Sequence, residues 1–225
     1  LKQYSGLYDV NKTQLRALLR SSAFGYVKIM FPMVIDLNEV RACKALLEEG
    51  RIVPGNFVYL TDIMYNPQIV SKAGVILASH FQGMDLDYIV TVETKGIPLA
   101  YEVAKSLGIE LVIIRKDNKV TEGSTVTINY VSGTSGRIQQ MALAKKCMKP
   151  SSKCVFIDDF LRGGGTAQGI KDLLSEFDSE LVGTGVLVDN VGIQNKRTDE
   201  YVSIIDLEYD KENNKLIVNP SELIK

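Results

Sequence analysis

The 225-residue chain has no tryptophan, one histidine (His80) and three cysteines, Cys43, Cys147 and Cys154. A single imidazole excludes a His-rich zinc centre and argues against Ser-His-Asp catalysis. The scattered thiols form neither a disulfide framework nor a CxxC metal site, so a reducing, cytoplasmic setting is expected. No apolar run approaches the ~20 residues that cross a bilayer, and no signal peptide opens the chain, so no membrane partner is expected. With 45% apolar and 24% charged residues, 18 glycines and 6 prolines, the composition excludes disordered, collagen-like and low-complexity chains. The length fits one large domain, or one of ~200 residues with a small appendage. The chain opens on Leu1 rather than Met, and further residues upstream are expected.

Charge is unevenly spread. Residues 1–28 carry Lys2, Lys12, Arg16, Arg20 and Lys28 against Asp9, a net of +4, which leaves −5 for the rest of a chain whose total is −1. A small basic segment on an acidic body suits a polyanion at one end only, although a solvated basic face fits the charge equally well.

Residues 29–225 read as alternating helices and strands. Asp36–Glu49 has a capping pair (Asp36, Glu39), an apolar stripe and a stop at Gly50. A second helix fits Pro67–Phe81, with Val70, Ala73, Gly74 and Leu77 inward. Strand Tyr88–Val92, helix Ile97–Leu107 and strand Leu111–Ile114 follow. Beyond the polar stretch Asp117–Gly136 come an alternating segment near Met141–Ala144, strand Cys154–Ile157, helix Thr166–Phe177 and strand Leu181–Val188. Short strands over Val202–Val218 turn at Glu212-Asn213-Asn214. Continuous apolar strands separated by helices predict an α/β fold with a parallel sheet covered on both faces. Ligands of such sheets sit at the carboxyl ends of the strands.

The sharpest local signal is Cys154-Val-Phe-Ile-Asp158-Asp159-Phe160-Leu161-Arg162-Gly163-Gly164-Gly165-Thr166. A buried strand runs into two carboxylates, a glycine loop and a new helix. The glycines let backbone N–H groups wrap a phosphate, the helix N-terminus adds its positive end, and Thr166 adds a hydroxyl. Two acids beside a phosphate are useful when they accept sugar hydroxyls or face a metal ion. The loop is therefore expected to grip a 5′-phosphate, with Asp158 and Asp159 on the ribose. Neither a P-loop nor a dinucleotide fingerprint is present.

This stretch resembles the phosphoribosyl pyrophosphate (PRPP) motif of the type I phosphoribosyltransferases. The resemblance implies their fold, with Thr94-Lys95-Gly96 as a pyrophosphate turn, Arg115, Lys116 and Lys119 as cations for the diphosphate, and the segment through Gly123, Gly133 and Gly136 as a flexible lid. Phe57, Tyr59 and Tyr130 are candidate stacking residues. The wording of residues 114–133, Thr94–Tyr101, Tyr59–Ile63 and Met141–Lys146 is similar to the bacterial purine operon repressors. That similarity implies a DNA-binding homodimer that senses PRPP, with or without Mg²⁺, and is not an enzyme. PRPP is expected to release DNA, and guanosine tetraphosphate to compete for the cradle. A purine phosphoribosyltransferase of the adenine or xanthine type is the alternative, and a metabolite sensor without DNA binding is a third reading. No catalytic residue and no resident metal site is assigned.

Residues 1–20 fit a helix-turn-helix. Leu1, Tyr4 and Tyr8 face inward, Asp9 takes the turn, Asn11 caps a second helix, and Leu15 and Leu19 face its core. Lys12, Thr13, Gln14, Arg16 and Arg20 are then candidate DNA contacts. A winged helix needs more residues on both sides, so residues 1–28 are expected to be a partial DNA-binding segment ahead of an effector domain at 29–225.

Overall fold

The computed structural model describes residues 52–53, 57–58, 64, 66–116, 123–132, 136–198, 200–210, 212 and 215–224. The chain divides after Val34, and every described residue belongs to the unit 35–225. The expected boundary at 28/29, the helix-turn-helix of residues 1–28 and the helix Asp36–Glu49 all lie outside the described residues.

The elements in order are β1 (Ile52–Val53), β2 (Phe57–Val58), α1 (Pro67–Phe81), β3 (Tyr88–Val92), α2 (Ile97–Leu107), β4 (Glu110–Ile114), β5 (Thr125–Val131), β6 (Ile138–Ala144), β7 (Lys153–Leu161), α3 (Gly165–Ser175), β8 (Glu180–Asn190), β9 (Val202–Asp210) and β10 (Lys215–Pro220). The main sheet has the order β10-β9-β8-β7-β3-β4. Its pairs are parallel except for the β9–β10 hairpin at one edge. The expected parallel sheet is therefore present with one antiparallel edge strand.

Local chemistry sets the helix limits. The Asn66 side chain accepts from the N–H groups of Gln68 and Ile69 at 3.1 and 3.3 Å, and Pro67 opens α1. α2 carries Pro98 in its first turn and ends on Gly108, in the left-handed conformation with φ 70°.

The strands sort their side chains to two faces. Val155 and Ile157 of β7 join Val70, Leu77, Phe81, Leu99 and Val103 of α1 and α2 in one core. Cys154 and Phe156 join Ile170 and Leu173 of α3, with Tyr130 and Met141, in the other. Strand periodicity thus turns a run that is apolar throughout into a sheet buried on both sides.

Helices α1 and α2 meet at Gly74, which lies against Glu102. A Cβ on Gly74 would lie 2.4 Å from the Glu102 Cβ. Gly74→Ala is expected to destabilise the protein by about 1–3 kcal/mol, because overpacking must push two helices apart. Urea unfolding, with the midpoint lowered at unchanged slope, checks this.

One difference concerns secondary structure. The polar stretch 117–136, to which the sequence assigns no strand, contains β5, which pairs antiparallel with β6 along its whole length from Thr125↔Ala144 to Val131↔Ile138. Val126, Ile128 and Tyr130 alternate toward the α3 side of the core. An isolated bridge between Arg115 and Ala142 ties this hairpin to the end of β4.

Candidate functional site

β7 runs on past the acids to Leu161, so Asp158 and Asp159 are held by the sheet rather than by a loop. The chain then bends through Arg162–Gly164, and α3 begins at Gly165. Gly164 has φ 70°, and a Cβ there would stand 3.0 Å from the backbone nitrogens of Arg197 and Thr198. Both the left-handed conformation and the close neighbour require glycine. No side chain caps α3, which leaves the amides of its first turn free to meet an anion. Asp158, Phe160, Leu161, Arg162, Gly163, Gly164, Gly165 and Thr166 line one recess at this point.

Asp158 is the electrostatic centre of the site. Its Oδ1 accepts from the Asp159 N–H at 2.9 Å. Burial, then the charge of the adjoining Asp159, holds its carboxyl well above the usual carboxylate range, and the Lys116 ammonium acts the other way. The β3–α2 turn leans on the same group. A Cβ on Gly96 would come within 2.6 Å of Asp158 Oδ1 and 2.7 Å of Thr91 Oγ1. Residue 96 must therefore be glycine for the turn and the acid to touch. The Thr91 hydroxyl beneath them is fully buried and has no hydrogen-bond partner.

The turn preceding α2 holds Thr94 and Lys95 exposed and Gly96 buried, after a cis Glu93–Thr94 peptide. Glu93 fastens it to the end of β4. Its Oε1 accepts from the Lys116 N–H at 2.8 Å, and its Oε2 lies 3.5 Å from Arg115 Nη1. Arg115 is thus engaged by a carboxylate in this state, while Lys116 is exposed. The structure brings the turn, Arg115, Lys116 and the acid–glycine loop to one end of the sheet, as expected. Lys119 lies outside the described residues, and Phe57 is described only as part of β2. Tyr130 is not a stacking platform. It is buried, its hydroxyl donates to Gln139 Oε1 at 2.9 Å, and a Cβ on Gly169 would strike its Cβ at 2.8 Å.

Sequence reading missed the strap between β8 and β9. This connection joins two parallel strands without a helix. At its root the buried carboxylate of Asp189 receives the Lys196 ammonium, which lies 2.6 Å from Oδ2 and also bonds Oδ1. The Tyr201 hydroxyl stands 2.9 Å from Lys196 Nζ and donates to Asp189 Oδ2 at 3.0 Å. Next to this cluster, the Arg197 N–H donates to the Gly163 carbonyl at 3.1 Å. The strap therefore braces the glycine loop from behind. Residues 189, 196 and 201 carry no recognisable spacing, so only the fold brings them together.

Comparison with known proteins agrees with this geometry. The model of the phosphoribosyl transferase domain matches residues 61–223. A second model, the PEP-binding domain of PEP-utilising enzymes, matches residues 3–62. That is a similarity to a different kind of domain from the helix-turn-helix expected at residues 1–28. The chain is 52% identical over 164 residues to the purine biosynthesis transcriptional repressor PurR of Bacillus subtilis, covering 73% of this chain and 58% of the relative. It is 40% identical over 160 residues to the purine biosynthesis transcriptional activator PurR of Lactococcus lactis, covering 71% and 59%. The chain thus spans less than two thirds of these curated relatives. Xanthine phosphoribosyltransferase of Deinococcus deserti is 28% identical over 149 residues, covering 64% and 77%. Among solved structures, adenine phosphoribosyltransferase from Thermoanaerobacter pseudethanolicus superposes with a TM-score of 0.64 at 19% identity, covering 74% of this chain and 99% of that one. That likeness shows the fold.

Proposed function

We propose, for a chain that belongs to the phosphoribosyl transferase domain family, that residues 61–223 form a PRPP-responsive effector domain of a purine-gene transcriptional regulator. The carrying observation is the cup at the end of β7, where two sheet-held carboxylates, an uncapped helix N-terminus and the Gly96 turn converge. Gly163–Thr166 would hold the 5′-phosphate through backbone N–H groups, helped by the Thr166 hydroxyl. Asp158 and Asp159 would accept the ribose hydroxyls, and Lys95, Lys116 and an Arg115 released from Glu93 would meet the diphosphate.

Mg²⁺ suits this donor set. The ion uses one or two carboxylates together with phosphate oxygens, and Asp158 and Asp159 are the residues that would face it. The ion would travel with the ligand's phosphates and screen the acid pair.

The regulator reading, as opposed to a transferase, draws on the similarity to proteins named as regulators at 40–52% identity, against 28% for a named transferase. In this reading PRPP disfavours the DNA-bound form because it binds the free form better. Guanosine tetraphosphate would compete for the cup, and the protein would act as a homodimer. Lys12, Thr13, Gln14, Arg16 and Arg20 are the candidate DNA contacts in this chain.

The test is calorimetry with PRPP and Mg²⁺, followed by a turnover assay with adenine, guanine, hypoxanthine and xanthine. Saturable binding with no nucleotide formed is the expected result. Turnover near ~1 s⁻¹ or faster would place the protein with the enzymes. Gel shifts with purine-gene promoter DNA, with and without PRPP, examine the DNA step separately. Because residues 3–62 match a PEP-binding domain, failure of this chain to bind DNA would bear on residues 1–28 and not on the cup.

A further inference from the structure

The parallel ladder between β3 and β4 runs one step beyond the pair Val92↔Ile114. The Glu93 N–H still donates to the Ile114 carbonyl at 3.0 Å, and the chain then turns toward α2. A regular parallel ladder would next bond the Lys116 N–H to the Glu93 carbonyl. The Glu93 side chain receives it instead, with Oε1 accepting at 2.8 Å. The other carboxylate oxygen, Oε2, lies 3.5 Å from Arg115 Nη1. Arg115 is pinned beneath its guanidinium, because its N–H and carbonyl both bond Ala142, at 3.0 and 2.8 Å. An amide and a guanidinium at the end of β4 thus converge on the two oxygens of one carboxylate. That is the arrangement a phosphate would adopt on the same donors.

The position of this contact gives it a role. Glu93 immediately precedes the Thr94–Gly96 turn, and Gly96 lies against Asp158. The Lys116 ammonium in turn favours the ionised form of Asp158. The carboxylate therefore stands beside the cup, on two of the groups that a diphosphate would use. It is also weakly held. The Arg115 and Glu93 side chains are 39% and 22% exposed, so solvent screens their attraction. A diphosphate carries more charge than a single carboxylate and can take both donors.

We propose that Glu93 is an internal competitor for the ligand's diphosphate, occupying the Lys116 amide and the Arg115 guanidinium in the free protein and giving them up when the diphosphate arrives. The inference rests on the PRPP reading of the cup and adds to it the residue that sets the concentration at which the domain responds. A ligand whose donors are free in only part of the population binds more weakly by that fraction. Displacing Glu93 also loosens the turn from β4, which gives ligand binding a movement to transmit. A carboxylate that only fastened the turn would act in the opposite sense, since its removal would disorder the site and weaken binding.

The experiment is calorimetry on the full chain with Mg²⁺, comparing the wild-type protein with Glu93→Gln and Glu93→Ala. The probes are PRPP, inorganic pyrophosphate and ribose 5-phosphate. Glu93→Gln removes the charge and keeps an oxygen for the Lys116 N–H; Glu93→Ala removes both, and thermal melts establish that the variants fold. PRPP and pyrophosphate are expected to bind about three- to thirtyfold more tightly to Glu93→Gln. Ribose 5-phosphate, which brings no diphosphate, should be unaffected. The gain should shrink when Arg115→Gln has already removed one of the contested donors, as a double-mutant cycle reads directly. PRPP affinity that is unchanged or lowered in both Glu93 variants would make Glu93 a fastener and overturn the proposal. So would an equal gain for all three probes, or a gain undiminished by Arg115→Gln, since either would reduce the effect to the loss of a nearby charge. No binding of any probe to any form would overturn the reading of the cup, and the competitor with it; PRPP binding without a gain would overturn the competitor alone.

Discussion

Asp158→Asn combined with Asp159→Asn is expected to lower the affinity for PRPP with Mg²⁺ by about two to four orders of magnitude. Each acid would contribute a charge-assisted hydrogen bond, worth roughly 1.5–3 kcal/mol. Calorimetry checks the loss. The same change should make the unliganded protein more stable near neutral pH. The Asp158 carboxyl is held above the usual range by burial and by Asp159, so the native state keeps its proton more tightly than the unfolded chain. The resulting stabilisation is complete below the ordinary aspartate value of ~3.9. It is lost as pH rises through the raised native value. Melts of the wild-type protein should therefore decline across that window, and those of Asp158→Asn should decline less. Affinity for PRPP should move oppositely, increasing with pH as the acid ionises to accept a ribose hydroxyl. An affinity independent of pH would remove Asp158 from the ligand.

Lys196→Met should produce the largest loss of stability. It leaves the Asp189 carboxylate, 1% exposed, without its cation, and breaking such a buried pair costs about 3–5 kcal/mol. At ~2–4 °C per kcal/mol for a domain of this size, the melting temperature should fall by roughly 6–20 °C. Adding Asp189→Asn should restore much of the loss, because the penalty lies in the orphaned charge rather than in the missing bond. PRPP affinity should also weaken in the single variant, since the strap braces Gly163 and Gly164. A melt unchanged by Lys196→Met would mean that the pair does not fasten the strap.

Helices α1 and α2 were legible to the residue because their stop and start signals are local: Asn66 and Pro67 at one end, Gly108 at another. The cup was legible for the same reason, since strand, acids, glycines and helix are contiguous. β5 is less legible. Its alternation Val126, Ile128, Tyr130 is a period-two signal, but the polar residues between them and the flanking glycines mask it. Gly96 was placed in the site by its turn; that it touches Asp158 is a matter of sheet order. The Asp189–Lys196–Tyr201 cluster depends on a helix-free crossover, which no local pattern announces.

β7 also carries a built-in reporter. Cys154 is fully buried four residues before Asp158, and burial with the charge of Asp87 pushes its thiol up to about 12. At neutral pH it offers a vanishing fraction of the nucleophilic thiolate. Cys147, by contrast, is exposed. An alkylating reagent should mark Cys147 at once and reach Cys154 only when the central strand comes apart. The rate of that slow modification times the opening of the scaffold on which the acid pair is mounted, and a ligand seated at the far end of the strand should slow it further.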